Sequence, residues 1–213
     1  GEIGRRIDFS THTNNVEELV SKSFSAQSEE IKSAAAFSLG NLAVGNLSKF
    51  LPFILKEIAE HKERQYLLLL SLREVITRLS KTPDRVAELV QILQTHKSSD
   101  ALFQYCQSSK EGICNVVAEC VGRLAVINTQ EMLEKIIIKL SSDSSQDRST
   151  ACASIKFCIV DKNSEIEKLL LPKVHLFLDL LQDSEVVSRI LCVKCLLWLN
   201  KCAGCSSLCS PRF

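Results

Sequence analysis

One stretch of this chain occurs twice. Residues 28–44, SEEIKSAAAFSLGNLAV, return 82 positions later as residues 110–126, KEGICNVVAECVGRLAV. The copies share Glu29/Glu111, Ile31/Ile113, Ala36/Ala118, Gly40/Gly122, Leu42/Leu124, Ala43/Ala125 and Val44/Val126. A fixed internal period constrains a fold strongly, because each copy must bury the same pattern of side chains against its neighbours. In the first copy Ile31, Ala34, Ala35, Ser38, Leu39 and Leu42 fall at helical spacing, and Ile113, Val116, Val117, Cys120, Val121 and Leu124 do so in the second. The spacing predicts one helix per copy with a single buried stripe.

A period of 82 is twice 41, and about 40 to 47 residues is the length of a HEAT or armadillo helix-pair unit. The expected fold is all-α, an α-solenoid of HEAT-type helix pairs over residues 1–200, about four to five repeats with incomplete ends. Residues 201–213, KCAGCSSLCSPRF, are expected to form a disordered, cysteine-containing tail. The chain has 213 residues, 46% of them hydrophobic, enough for a sizeable core. Its 26 basic and 25 acidic residues are interspersed, with no basic stripe of the kind that neutralises phosphates, so nucleic acid is not an expected partner. The apolar runs are too short or too interrupted to span a bilayer, so no membrane partner is expected either. The chain opens on Gly1 and its one methionine is Met132, which reads as a fragment of a longer product.

Taken in order, residues 14–26 predict a helix capped by Asn14 or Asn15, with Val16, Leu19, Val20 and Phe24 on its apolar face. Ser28 begins the repeated helix, with Glu29 and Glu30 in its positive first turn. Residues 47–60 give its partner, placing Pro52 in the first turn. Residues 63–80 are apolar nearly all round, as a helix clamped between neighbours would be. Residues 82–107 fit one broken helix or two short ones. Thr129 is the expected cap of a helix over residues 129–140. Residues 148–160 pair with 166–181, and residues 183–200 repeat the pattern at a spacing of 41, matching Arg148 with Arg189. Lys32, Cys114, Arg148 and Arg189 occupy equivalent places.

Chemistry-bearing groups are scarce. Ten cysteines are present, and Cys106, Cys114, Cys120, Cys152, Cys158, Cys192 and Cys195 sit where a small apolar residue would serve, so reduced core thiols are expected. Cys202, Cys205 and Cys209 are spaced C-x2-C-x3-C, which matches no standard metal array. The histidines His12, His61, His96 and His175 stand apart, and no nucleophile, base or phosphate loop can be assembled. Gly40 and Gly122 instead permit close helix approach. The expectation is a binding scaffold with no catalytic residue, cofactor, metal or small-molecule substrate. Its candidate contacts are the charged residues of the second helices, Lys56, Glu57, Glu60, Glu134, Lys135 and Lys139.

The segments SAAAFSLGNLAVGNLSKFLPFIL (33–55), RQYLLLLSLREVI (64–76) and EGICNVVAECVGRLAVI (111–127) closely resemble the cullin-associated, neddylation-dissociated (CAND) proteins. The resemblance covers about residues 1–200, looks like a segment of the C-terminal half and is closest in wording to plant members. It implies a HEAT solenoid that binds cullins lacking their ubiquitin-like modifier. It also implies exchange of substrate receptors on cullin-RING ubiquitin ligases, with cullin and other ligase subunits as partners, in nucleus and cytoplasm. Karyopherin-like receptors and phosphatase scaffolds also stack HEAT helices and are the alternative, as is an inactive remnant. Cys114 departs from the basic residue expected at its place.

Overall fold

A computed structural model describes residues 2–7, 13–106, 110–159 and 163–207, the side chains of 13–15 and 202–207 excepted. Among the described residues all regular structure is helical. The chain divides into two compact units, Gly1–Leu102 with Lys110–Val116, and Phe103–Ser109 with Val117–Phe213.

In the first unit, α1 (Thr13–Phe24), α2 (Glu29–Gly45), α3 (Leu47–Glu60), α4 (Gln65–Leu79) and α5 (Pro83–Thr95) follow one another through short turns. Ser28 caps α2 by accepting a hydrogen bond from the Ile31 amide, as the sequence predicts. Asn46 closes α2 with its own N–H and opens α3 by accepting from the Lys49 amide, so one residue makes the whole turn. Pro52 lies in the second turn of α3, one turn later than expected, where its ring costs the Ser48 carbonyl its helical donor. The helix continues because Phe50, Leu51, Ile54 and Ile58 on either side of it are fully buried.

The buried stripe of α2 is rotated from the predicted one. Ile31 is 51% exposed and Ala34 is also exposed, whereas Ala35, Ala36, Leu39, Gly40, Ala43 and Val44 are buried. Leu19 of α1, expected inside, is 65% exposed, and that helix is held by Val20 and Phe24. The reason is visible at Gly40, where α4 crosses so closely that an added Cβ would lie 2.7 Å from Glu74 Cβ and 2.8 Å from the Ser71 carbonyl oxygen. The helix turns its small residues toward α4, and the apolar Ile31 falls outside the contact. The irregular region resolves as two helices, α5 and α6 (Ser98–Tyr105), separated at Lys97, whose φ of 49° is the left-handed backbone that stops a helix.

α7 (Glu111–Ile127) carries the second copy of the repeat, and here the predicted stripe is buried in full: Ile113, Val116, Val117, Cys120, Val121 and Leu124. α8 (Thr129–Leu140) and α9 (Ser145–Cys158) belong to the second unit and pack together. The cap of α8 is Asn128 rather than Thr129, which is buried. The single helix expected over 166–181 is instead α10 (Ser164–Leu170), a 3-10 turn at Leu171–Lys173, α11 (Val174–Asp179) and a second 3-10 turn at Leu180–Gln182. Pro172 sits at the break, where the missing amide ends α10. α12 (Val186–Ser207) packs on α9 and α11. It runs past residue 200, where the sequence reading ends the array, so residues 201–207 extend a helix; Cys209 lies outside the described residues.

The close approach of first helices recurs in this unit. A Cβ on Gly122 would lie 2.3 Å from the Ser154 carbonyl oxygen and 2.6 Å from Phe157 Cβ, so Gly122 faces α9 as Gly40 faces α4. Ser154 and Ser71, which lie beneath the two glycines, both return their hydroxyls to the carbonyl four residues back. That bond satisfies a buried hydroxyl without needing a partner on the neighbouring helix. Cys158 of α9 donates its S–H to the Gly122 carbonyl at 3.4 Å, closing the same contact from the other side.

Candidate interaction surface

The six predicted contact residues fall into two places, described separately. On α3, Lys56 is exposed and lies 4.0 Å from Glu60, a contact worth little in water. Glu57 is 3.6 Å from His61 Nε2, and the other ring nitrogen of His61 is 3.3 Å from Glu63. The ligand atoms of Glu57, Glu60 and His61 lie within 4.8 Å of one another, so by donor type these three could hold a divalent cation. The Glu63 carboxyl is held below its ordinary range by its own backbone amide first, then by His61 and Arg64. This is an exposed, largely acidic patch at the C-terminal end of a helix.

On α8 the predicted set separates by role. Glu134 is exposed and accepts from the Gln130 side chain, and Lys135 pairs with Glu131 at 3.2 Å. Lys139 belongs to the fold: its ammonium lies 2.7 Å from Asp147 and 5.8 Å from the centre of the Phe103 ring. Asp147 is only 3% exposed and also accepts from the Ser142 hydroxyl at 3.1 Å. A carboxylate that buried needs a cation, and Lys139 supplies it.

Sequence reasoning found Arg148 and Arg189 at matching positions but not their work. Each guanidinium donates to two backbone carbonyls, six and five residues before it, Arg148 to Ser142 and Asp143 and Arg189 to Asp183 and Ser184. Arg148 then turns its remaining edge to Asp183, at 2.6 and 3.2 Å. Asp183 also accepts from the Glu185 amide at 2.8 Å. The hydrogen bond from Arg148, then the Glu185 amide, hold the Asp183 carboxyl below its usual range against the opposing effect of burial. The 41-residue spacing of the two arginines was the signal; the partner carboxylate, 35 residues after Arg148, had none. Lys32, at the equivalent place in α2, pairs instead with Glu29 of its own helix at 2.7 Å.

Beside this ion pair lies a cleft of about 400 Å³ between the end of α8 and the α11 turn. Leu140, Leu176 and Leu180 form its apolar wall, and Ser141, Asp179 and Gln182 contribute polar groups. The seven core cysteines are all free and buried, as expected. Burial pushes the thiols of Cys158 and Cys195 up to about 12 and that of Cys192 up to about 11, and raises Cys152 as well. None of these four is a nucleophile at neutral pH. The Cys202 and Cys205 backbones are helical, part of α12.

No general family model matches the sequence. Individual proteins do. The chain is 43% identical over 190 residues, 89% of its length, to the Cullin-associated NEDD8-dissociated protein 1 of Dictyostelium discoideum. The chain belongs to the cullin-associated NEDD8-dissociated family. The protein 1 of Arabidopsis thaliana matches at 40% over 187 residues and that of Drosophila melanogaster at 41% over 185. A protein of Emericella nidulans named as the C-terminal part of the same protein matches at 29% over 164 residues. The chain spans about 15% of the length of the first three relatives. Among solved structures an engineered protein superposes at a TM-score of 0.49 with 16% identity, covering 94% of this chain and 87% of the other.

Proposed function

We propose that this segment contributes binding surface to a cullin-associated scaffold, engaging an unmodified cullin through exposed charged side chains. The observation that carries the reading is the 40–43% identity to proteins named as cullin-associated over nearly nine-tenths of the chain. Its role involves no bond-making chemistry. The exposed Lys56 and Glu60 in the first unit and Glu134 in the second offer charge to a partner without first breaking a buried contact. The whole scaffold exchanges substrate receptors on cullin-RING ubiquitin ligases, in nucleus and cytoplasm. Capture of an unmodified cullin by the immobilised chain, with a full-length relative beside it, tests this. Retention by both supports the reading; retention by the relative alone removes cullin binding from this segment.

A further inference from the structure

The cleft beside Arg148 is chemically asymmetric. Of its three charged lining groups, Arg148 and Asp183 neutralise one another at 2.6 Å; Arg148 also donates to the Ser142 and Asp143 carbonyls, and Asp183 also accepts from the Glu185 amide and the Ser184 hydroxyl. Asp179 is different. It is exposed, and among the described residues it makes no hydrogen bond or ion pair. Gln182, on the same lining, likewise keeps its side-chain amide unused among the described residues. Apolar side chains share the lining: Leu140 at the end of α8 and Leu180 are buried, and Leu176, one turn before Asp179 on α11, is half-buried.

We propose that this cleft is a docking pocket for an arginine side chain presented by a protein partner, with Asp179 as the receiving carboxylate. The net charge left on the lining is negative, which repels phosphate or carboxylate ligands and attracts a cation. Leucine walls suit a cation on an apolar stem, which excludes a bare metal ion. Arginine fits better than lysine because its planar fork can bond a carboxylate bidentately while a further N–H reaches an amide oxygen such as that of Gln182. Its weaker hydration also lowers the cost of entering a partly apolar cleft. At about 400 Å³ the space lies at the low end of ligand pockets, which run from about 300 to 1,000 Å³, and interface anchors of this size are often arginines. That the side chain comes from a protein rests on the cullin-binding reading above.

Two measurements on the full chain separate the pocket from that reading. The first titrates isotope-labelled protein with N-acetyl-arginine amide, following backbone amide shifts, with N-acetyl-citrulline amide as the uncharged isostere. Saturable shifts at Leu140, Ser141, Leu180 and Gln182, weakened about fivefold or more for citrulline or in Asp179→Asn, are expected. Equal response to both amides, no saturable shift, or no effect of Asp179→Asn overturns the pocket. The Asp179 carboxylate makes no hydrogen bond or ion pair among the described residues, so an unchanged melting temperature is the control. The second compares cullin capture by wild type and Asp179→Lys, where about tenfold weaker capture is expected. Capture by wild type that Asp179→Lys leaves unaltered overturns the proposal and leaves cullin binding standing. No capture by wild type sinks the cullin reading, and the titration then decides the pocket alone.

Discussion

Arg148 and Asp183 hold one another through two hydrogen bonds, at 2.6 and 3.2 Å, with the Asp183 side chain only 1% exposed. The pair joins the start of α9 to the turn that precedes α12, so it fixes how two successive first helices stack. Removing the guanidinium leaves a buried carboxylate without its cation. Arg148→Met is expected to lower the unfolding free energy by about 3 kcal/mol, measured by urea denaturation. The double variant with Asp183→Asn should lose less than the sum of the two single changes. Strict additivity would show that the two side chains do not depend on each other.

The same pair sets an acid sensitivity. Arg148 holds the folded-state pKa of Asp183 below its ordinary value, so near that value the unfolded chain binds a proton that the folded chain does not. The stabilisation is complete above the unfolded pKa, about 3.9, and is lost as pH falls through the depressed folded one. Denaturation midpoints measured from neutral pH downward should therefore fall less steeply below about pH 4 in Asp183→Asn than in the wild type. Parallel acid limbs would mean that the pair contributes nothing to this slope.

Gly122 lies against the Ser154 carbonyl at a distance that leaves no room for a methyl group. Alanine gains about 1 kcal/mol of helix propensity over glycine, while overpacking a core contact costs about 1 to 3 kcal/mol. The contact decides the sign because its atoms are backbone, which cannot rotate away. Gly122→Ala should destabilise the second unit by about 1 to 2 kcal/mol in thermal melts. Gly40→Ala, facing the Ser71 carbonyl at 2.8 Å, should do the same to the first, whereas a stabilised variant at either place would contradict the close approach.

Cys152, Cys158, Cys192 and Cys195 are buried, and burial raises each thiol far above neutrality. In the folded chain these four should react with a disulfide reagent only at the rate of unfolding, and all should become available in denaturant. Mass spectrometry after brief labelling at neutral pH identifies them. Rapid modification of any one in the native state would contradict its place in the core.

Much of the fold was legible because it rests on local pattern. The 82-residue echo located α2 and α7, and the cap at Ser28 and the small residues Gly40 and Gly122 foretold where helices begin and touch. What failed depended on approach from another element. Ile31 looks inward by periodicity, yet α4 meets α2 on its glycine side and leaves Ile31 outside. Lys139 looks like surface charge, and only the return of α9 places Asp147 beneath it. Pro172 sat in plain view, but the apolar residues on either side of it concealed that it ends a helix. Of the predicted contact residues, Lys56, Glu60 and Glu134 are exposed, whereas Lys139 is half-buried and engaged by Asp147; Asp179, outside that set, carried no sequence signal at all.

The cullin-binding surface proposed for this segment predicts a measurable affinity of the isolated chain for an unmodified cullin. Immobilised chain should retain the cullin in a salt-sensitive manner, and simultaneous charge reversal at Lys56, Glu60 and Glu134 should weaken retention about tenfold with the melting temperature unchanged. Retention by a full-length relative with none by this chain, at concentrations where the chain is folded, would contradict it.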